Sequence, residues 1–293
     1  MVDGGHINRL EIDSTSLPNE LLAMKKTLEL TPMPGEMLKP KELIELRRTG
    51  ALTLQDRRVF NTLVENAWGP KLGVAGHWFE ISTGDLRDDT DRNSRLEDSI
   101  EKLMQTICVV VEEEENGEVF ELRTPLLSTN KLQIDVNRGT FRYKFTEELS
   151  ALLKDSTIFA KLDKETMRSF RSKYAFSLYE AVARRIRMKA FMEELSLEEL
   201  RELLGVEEGK LDAYKNLNKF AIQPALSEVN AISDFAVSIV PKKKGNKVVS
   251  FLMGWNVKDE AGKKAAYEER QRHSVGRGAR TSEGVDVINT DNS

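Results

Sequence analysis

RNSRLEDSIEKLMQTICVVVEEEENGEVFELRTPLL, residues 92–127, changes its period part-way along. Leu96, Ile100, Leu103 and Ile107 recur at the three- and four-residue spacing of one helix face. From Cys108 to Val111 and from Val119 to Leu122 the chain becomes apolar and β-branched, with Asn116-Gly117 between the two runs. Asn-Gly accepts the positive φ values of a tight turn, so a helix leading into a hairpin is expected here. Upstream, Pro40 stands where a helix would begin, and KELIELRRTG ends in a glycine suited to a C-cap. In TLQDRRVFNTLVENAWG, Thr53 can cap, and Leu54, Val59, Phe60, Leu63, Val64 and Ala67 form a helical stripe. HWFEIS alternates like a strand, STGDLRD offers Ser82 or Thr83 as the cap of a short helix, and LQIDVNRGTFRYKF reads as a second hairpin turning near Asn137 to Gly139. Helices followed by a hairpin are the grammar of a winged helix.

The order recurs downstream. One long helix is expected from about Lys164 to Ala190, with Met167, Phe170, Tyr174, Leu178, Val182 and Ile186 on one face. SLEELRELLGV carries a capping box, Ser196 with Glu199, and ends at Gly205. Leu217, Phe220, Ala221, Ala225 and Val229 suit a further helix, in which Pro224 should start, bend or shorten the element. FAVSIVPKKKGNKVVSFLMGW then reads as two strands around Lys243 to Asn246, a basic wing. The expected fold class is α+β: two tandem winged-helix domains, over 37–155 and 156–258, between a flexible N-terminal arm (1–36) and a disordered tail (259–293). Leu21, Leu22, Met24 and Leu28 allow an amphipathic turn or two within the arm, and the tail can open as a solvated helix.

Composition narrows the chemistry. The 293 residues carry a formal charge of -4, no long apolar run and no basic-then-apolar start, so a cytoplasmic location without a membrane span is expected. A lone Cys108 rules out an intrachain disulfide, and three scattered histidines argue against a metal site or a His-centred triad. Cys108 reads as a buried small hydrophobe, and His77 and Trp78 as packing residues. Neither GxxxxGK[ST] nor GxGxxG nor GxSxG occurs. Glu193-Glu194, Glu198-Glu199 and Asp88-Asp89 lie in highly charged stretches and read as solvated faces, and Asp85, Asp88, Asp89 and Asp91 as capping or surface acids rather than metal ligands. No catalytic residue, metal or cofactor is expected.

Charge is segregated along the chain. Residues 161–190 hold nine cations against three acids, and 241–249 four lysines and no acid, whereas 110–121 and 193–208 are each at -6. A polyanion needs only a local cationic face, so DNA stays open as a partner despite the acidic total. Tyr214, Lys215, Asn216, Asn218, Lys219 and Gln223 are either the polar side of a surface helix or a base-reading face, since Asn and Gln pair with adenine and Lys with guanine or phosphate. Arg168, Arg171 and Lys173 fit phosphate positioning or a solvated face. Lys242, Lys243, Lys244 and Lys247 fit a DNA-contacting wing or the guarding of an edge strand. In the first half Arg92, Asn93, Arg95, Ser99 and Lys102 lie on the helix before the hairpin, diluted by neighbouring acids, so fewer contacts are expected there. Phe170, Tyr174, Phe176 and Tyr179 read as core rather than a base-stacking platform.

YAFSLYEAVARRI, SLEELRELLGV, YKNLNKFAIQPALSEVNAISD and VSIVPKKKGNKVVSFLMGW, taken in order, resemble the C-terminal winged helix of iteron-binding plasmid replication initiators, the Rep family. PALSEVN (224–230) is similar to the family's PALxEIN, and 243–248 to its basic KKGxKV hairpin; Phe220, Ala221 and Ile222 stand where the family often has a richer basic run. The first half resembles the family's N-terminal winged helix in pattern and position. The resemblance implies binding of a monomer to origin repeats (iterons) in double-stranded DNA, opening of the duplex and recruitment of a host initiator and helicase. It also implies a homodimer, joined largely through the first domain, that represses its own promoter. By motif, Arg168, Arg171, Lys173, Tyr214, Lys215, Asn218 and Lys219 match DNA-contacting positions, and Lys243, Lys244 and Lys247 the wing. A transcriptional repressor without an initiator role, a winged-helix protein-interaction scaffold and a metal-dependent nuclease are the alternatives.

Overall fold

The structure, a computed structural model, describes residues 26–86, 93–113, 116–133, 139–245, 247–277 and 280. In chain order the first half runs β1 (Glu36–Pro40), α1 (Lys41–Ile44), α2 (Leu54–Asn66), β2 (Phe79–Ser82), α3 (Asn93–Gln105), β3 (Ile107–Glu113), β4 (Val119–Pro125), β5 (Asn130–Leu132), β6 (Thr140–Tyr143) and α4 (Glu147–Lys154). The second half runs β7 (Phe159–Asp163), α5 (Lys164–Ser169), α6 (Lys173–Arg185), β8 (Met192–Leu195), α7 (Leu197–Leu204), α8 (Tyr214–Leu217), a π turn (Asn218–Ile222), α9 (Gln223–Ile232), β9 (Phe235–Lys244), β10 (Lys247–Val257) and α10 (Glu260–Gln271).

The expected helix-then-hairpin unit forms: α3 leads into β3, which pairs antiparallel with β4 from Ile107↔Pro125 to Glu113↔Val119. Cys108 is fully buried in this ladder and its thiol donates to the Thr124 carbonyl at 3.0 Å. The second expected hairpin is seen as β5 paired with β6, which also pairs with β2; the 134–138 part of its turn lies outside the described residues. In the second half β8, β10 and β9 make one antiparallel sheet, β10 in the middle. β8 was not expected, because Glu193 and Glu194 hide its alternation. Phe141, Tyr143 and Phe145 pack together in the first half, and Phe170, Phe176 and Tyr179 in the second. Tyr174, expected among that core, is only partly buried.

Local chemistry explains most boundaries. Thr53 and Asp56 close a capping box on α2, as Ser196 and Glu199 do on α7, and Gly205 ends α7 at φ 66°, a left-handed position that suits glycine. Several expectations fail. The helix expected over Pro40 to Gly50 stops at Ile44. Gly50 is no cap: a Cβ there would lie 2.6 Å from the Glu207 N and Cα, so glycine allows the two halves to touch. Ser82 ends β2, residues 83–86 form turns where a helix was expected, with Arg87 and Asp88 outside the described residues, and the Thr83 hydroxyl accepts from the Gly139 N–H at 3.0 Å. The single helix expected over 164–190 is two, α5 and α6, because Ser172 caps α6 by accepting from the Tyr174 and Ala175 N–H groups, and α6 stops at Arg185.

Both expected ends are ordered where described. Thr27 and Leu28 are buried, and the Trp68 indole N–H donates to the Leu30 carbonyl at 2.9 Å. In the segment expected as a solvated or disordered tail, α10 is capped by Asp259 and packs on α9 and α5 with Ala266 buried. Arg270 donates to the Ile232 carbonyl at 2.6 Å, and Arg277 to that of Ser169 at 2.7 Å.

The halves are joined by more than chain continuity. β1 pairs antiparallel with β7, Glu36↔Asp163 to Pro40↔Phe159. Below that ladder the buried Lys39 ammonium donates to Glu180 (2.7 Å) and Asn61 (2.8 Å), and the Asn61 amide donates to the same carboxylate at 2.7 Å. Burial pushes the Lys39 ammonium below its ordinary range, and Glu180 opposes the shift.

Candidate nucleic-acid interface

The segment Tyr214 to Ile232 is one helical rod interrupted by a π turn, and Pro224 explains the interruption. Proline has no N–H to donate four residues back, so the turn before it widens and the Gln223 N–H donates to the Asn218 carbonyl, five residues away. The inner side of the rod buries Leu217, Ala221, Ile222, Ala225, Leu226 and Val229. Its outer side exposes Lys215, Asn216, Lys219, Phe220 and Gln223, with Asn218 between the two sides and accepting from Gln223 at 3.2 Å. Tyr214, expected on the DNA face, is half-buried with its ring 5.9 Å from that of Phe251. It therefore supports the start of the rod more than it faces solvent.

PALSEVN holds the rod in place. The Glu228 carboxylate accepts from the Arg171 N–H at 2.8 Å and the Ser172 N–H at 3.0 Å, fixing α9 to the start of α6. Arg277 adds a 3.4 Å ion pair; burial nonetheless outweighs these partners and raises the carboxyl above its ordinary range. Asn230 exchanges two hydrogen bonds with Val237, from its amide to the carbonyl (2.9 Å) and from the Val237 N–H to its oxygen (2.7 Å), tying α9 to the first residues of the wing strand. Reading Glu228 and Asn230 only as parts of a motif missed this; two polar residues one position either side of buried Val229 were the available signal.

The hairpin expected around Lys243 forms as two paired strands, with position 246 outside the described residues. Lys244 faces Lys247 at the end of the β9–β10 ladder, and Lys243, Lys244 and Lys247 are exposed with no ion-pair partner among the described residues. Lys242 differs: its ammonium lies 2.5 Å from Glu194, which also accepts from the Ser250 hydroxyl at 2.6 Å.

The cationic excess of 161–190 is largely internal. Lys161 pairs with Glu36, Lys164 with Glu65, Arg184 with Glu45 and Arg185 with Glu193. Lys173, expected to contact DNA, is half-buried and donates to the Gly50 carbonyl at 2.5 Å, and burial lowers its ammonium below the ordinary range. Its charge joins the two halves instead of facing solvent. Arg168 and Arg171 remain exposed at the α5–α6 junction, where Arg58 of α2 holds the Arg168 and Phe170 carbonyls at 2.9 and 2.7 Å.

In the first half Arg92 lies outside the described residues, as do Asp88, Asp89 and Asp91; Asn93 opens α3 and Arg95 is exposed on it. Ser99 is buried and donates to Asp56 at 2.7 Å, and Lys102 lies 3.7 Å from the same carboxylate, so both bind α3 to α2. His77 packs edge-on against Phe79, whereas Trp78, expected to pack, is exposed with Lys131 and Lys144 ammoniums 5.4 and 5.6 Å from its ring. Among the described residues no group of three or more His, Cys, Asp or Glu could hold a metal ion, and no helix is long and apolar enough to cross a membrane.

Two helix-and-hairpin units in series, the second presenting an outward helix beside a lysine-tipped wing, define the class: a tandem winged-helix protein. The chain belongs to the initiator Rep protein family. The model described as "Initiator Replication protein, WH1" matches residues 36–183, and the one described as "Initiator Rep protein, WH2" matches residues 196–255. The first match takes in β7, α5 and most of α6, in keeping with the β1–β7 ladder. Among solved structures the fold is similar to a Pi initiator protein in complex with iteron DNA, with a TM-score of 0.55 and 20% sequence identity over 77% of this chain and 98% of that one. No curated protein sequence matches the chain.

Proposed function

We propose that this protein is a plasmid replication initiator that binds direct repeats at its origin as a monomer, promotes opening of the duplex and recruits a host initiator and helicase, and that as a dimer it represses its own promoter. It works by binding and bending DNA, with no catalytic step of its own, in the cytoplasm of its host. The observation that carries this reading is the outer face of the α8–α9 rod. Lys215, Asn216, Lys219 and Gln223 face outward from an apolar underside, beside three exposed wing lysines, in a chain of the initiator family. Lys215, Asn216, Asn218 and Lys219 serve base or nearby phosphate contact, Lys243, Lys244 and Lys247 the flanking backbone, and Arg168 and Arg171 phosphates. Two winged helices in one chain suit successive major grooves, about 34 to 36 Å apart, so a monomer matches a direct repeat rather than a palindrome.

The test is fluorescence anisotropy of the whole chain on duplexes flanking its own gene and on shuffled duplexes, across a salt series. The expected result is tight binding to the repeats only, weakening steeply with salt. Equal affinity for shuffled DNA refutes sequence-specific initiation.

A further inference from the structure

Phe220 is out of place for an aromatic residue in this fold. Its helical rod buries seven apolar side chains, from Leu217 to Ile232, yet the Phe220 ring is 52% exposed. It stands in the π turn, one turn beyond Asn216 and next to Lys219, whose ammonium lies 5.1 Å from the ring centroid. Lys215 lies one turn before Lys219, so two exposed lysines share this outer side of the rod with the ring. An apolar protein partner would have to desolvate these charges to cover a single ring, whereas a polyanion pairs with them. In the major groove the one apolar group on a base edge is the thymine C5 methyl, and a phenylalanine side chain is among those that meet it.

We propose that Phe220 is a specificity-determining residue that packs on the C5 methyl of a thymine in the recognised repeat. This rests on the α8–α9 rod being the recognition element, as argued above. The ring excludes water from the methyl, while Lys215 and Lys219 anchor the helix on neighbouring guanine edges or phosphates. Asn216, one turn away, is placed for an adenine within a base pair or two, because a helical turn of about 5.4 Å spans one to two base-pair steps of about 3.4 Å. The π turn contributes by widening the backbone at the residues that carry this contact. The site would then contain A·T pairs at the point where the rod enters.

The experiment uses the whole chain and its Phe220→Ala and Phe220→Leu variants on the repeat. A set of duplexes carries deoxyuridine in place of each thymine in turn, a change that removes only the methyl. The wild-type chain is expected to lose about fourfold in affinity at one or two thymines, the worth of one buried methyl. Phe220→Ala should bind the unmodified repeat at least that much more weakly and show no further loss at those positions. Phe220→Leu, which keeps an apolar tip, should retain part of the sensitivity. Because the ring is outside the core, both variants should melt at the wild-type temperature. A Phe220→Ala chain that still prefers the repeat and responds to every uracil as wild type does overturns the role of Phe220 and leaves the recognition helix standing. A wild-type chain with no preference for the repeat over shuffled DNA removes the recognition reading and this inference together.

Discussion

Replacing Lys243, Lys244 and Lys247 together by alanine should lower the salt dependence of DNA binding by a predictable amount. All three ammoniums are exposed at the end of the β9–β10 hairpin and have no ion-pair partner among the described residues, so nothing in the protein competes with phosphate for them. Each ammonium on a phosphate releases about 0.9 counterion from duplex DNA, so three contacts contribute about 2.7 to the slope of log K against log salt. Between 0.05 and 0.2 M salt, a fourfold change, that slope corresponds to about 40-fold in affinity, which the triple variant should no longer lose. Lys242 supplies an internal control: it is held 2.5 Å from Glu194, so Lys242→Ala should change the slope by clearly less than one third of the triple effect. The assay is anisotropy titration at five or more salt concentrations on both the repeat and shuffled DNA. The loss should be similar on both, because phosphates carry no sequence. A triple variant with the wild-type slope, or a Lys242→Ala change as large per residue, would refute the assignment of the wing to the DNA backbone.

Other outcomes follow from the same geometry. Lys215→Ala combined with Lys219→Ala should weaken binding to the repeat more than to shuffled DNA, by about 1 to 3 kcal/mol for each base-contacting lysine, measured by competition titration. Asn230→Ala removes both hydrogen bonds that tie α9 to Val237, and urea unfolding should show about 2 kcal/mol of lost stability. Lys39→Met strands the buried Glu180 carboxylate and should cost about 3 to 5 kcal/mol in the same assay, most of which Lys39→Met with Glu180→Leu should restore. The fully buried Cys108 thiol is pushed up to about 11 from an ordinary 9.0, so between those values the unfolded chain releases the proton while the folded chain keeps it. Stability from this group is therefore intact below pH 9 and falls as pH rises, by about 1.4 kcal/mol at pH 10. Cys108→Ala should remove that part of the pH dependence in urea titrations at pH 8 and pH 10.

The elements that depend on short-range chemistry were legible in the amino-acid order. Thr53 with Asp56, Ser196 with Glu199, and Gly205 act through groups within a few residues, and the alternation of the wing strands needs only a sheet with one wet side. The apolar stripe of α3 and the period change at Cys108 likewise record which side each element buries. Expectations failed where a partner far along the chain decided the outcome. KELIELRRTG has a helix-like pattern, yet the approach of Gly50 to Glu207 and the β1–β7 ladder leave only one turn of helix. Residues 164–190 look like one continuous amphipathic helix, and the break at Ser172 is held by Glu228, more than fifty positions on. The polar composition of α10 gives little sign that it docks, because Arg270 and Arg277 reach backbone carbonyls of α9 and α5 that no local pattern reveals.

The candidate interface divides in the same way. Sequence alone determined the class of fold, the rod that carries Lys215, Asn216 and Lys219, and the lysine wing, since helical spacing and strand alternation assign most side chains to an inner or an outer face; Phe220, grouped with the apolar stripe, is exposed, and Tyr214, grouped with the polar face, packs on Phe251. Tertiary structure decided which cations are available. Lys161, Lys164, Arg184 and Arg185 count towards a basic stretch but meet carboxylates, Lys173 turns inward to Gly50, and Arg168, Arg171, Lys243, Lys244 and Lys247 stay outside. A count along the chain sums charge, whereas binding depends on the ammonium and guanidinium groups left facing solvent, and only the packing of distant segments determines which those are.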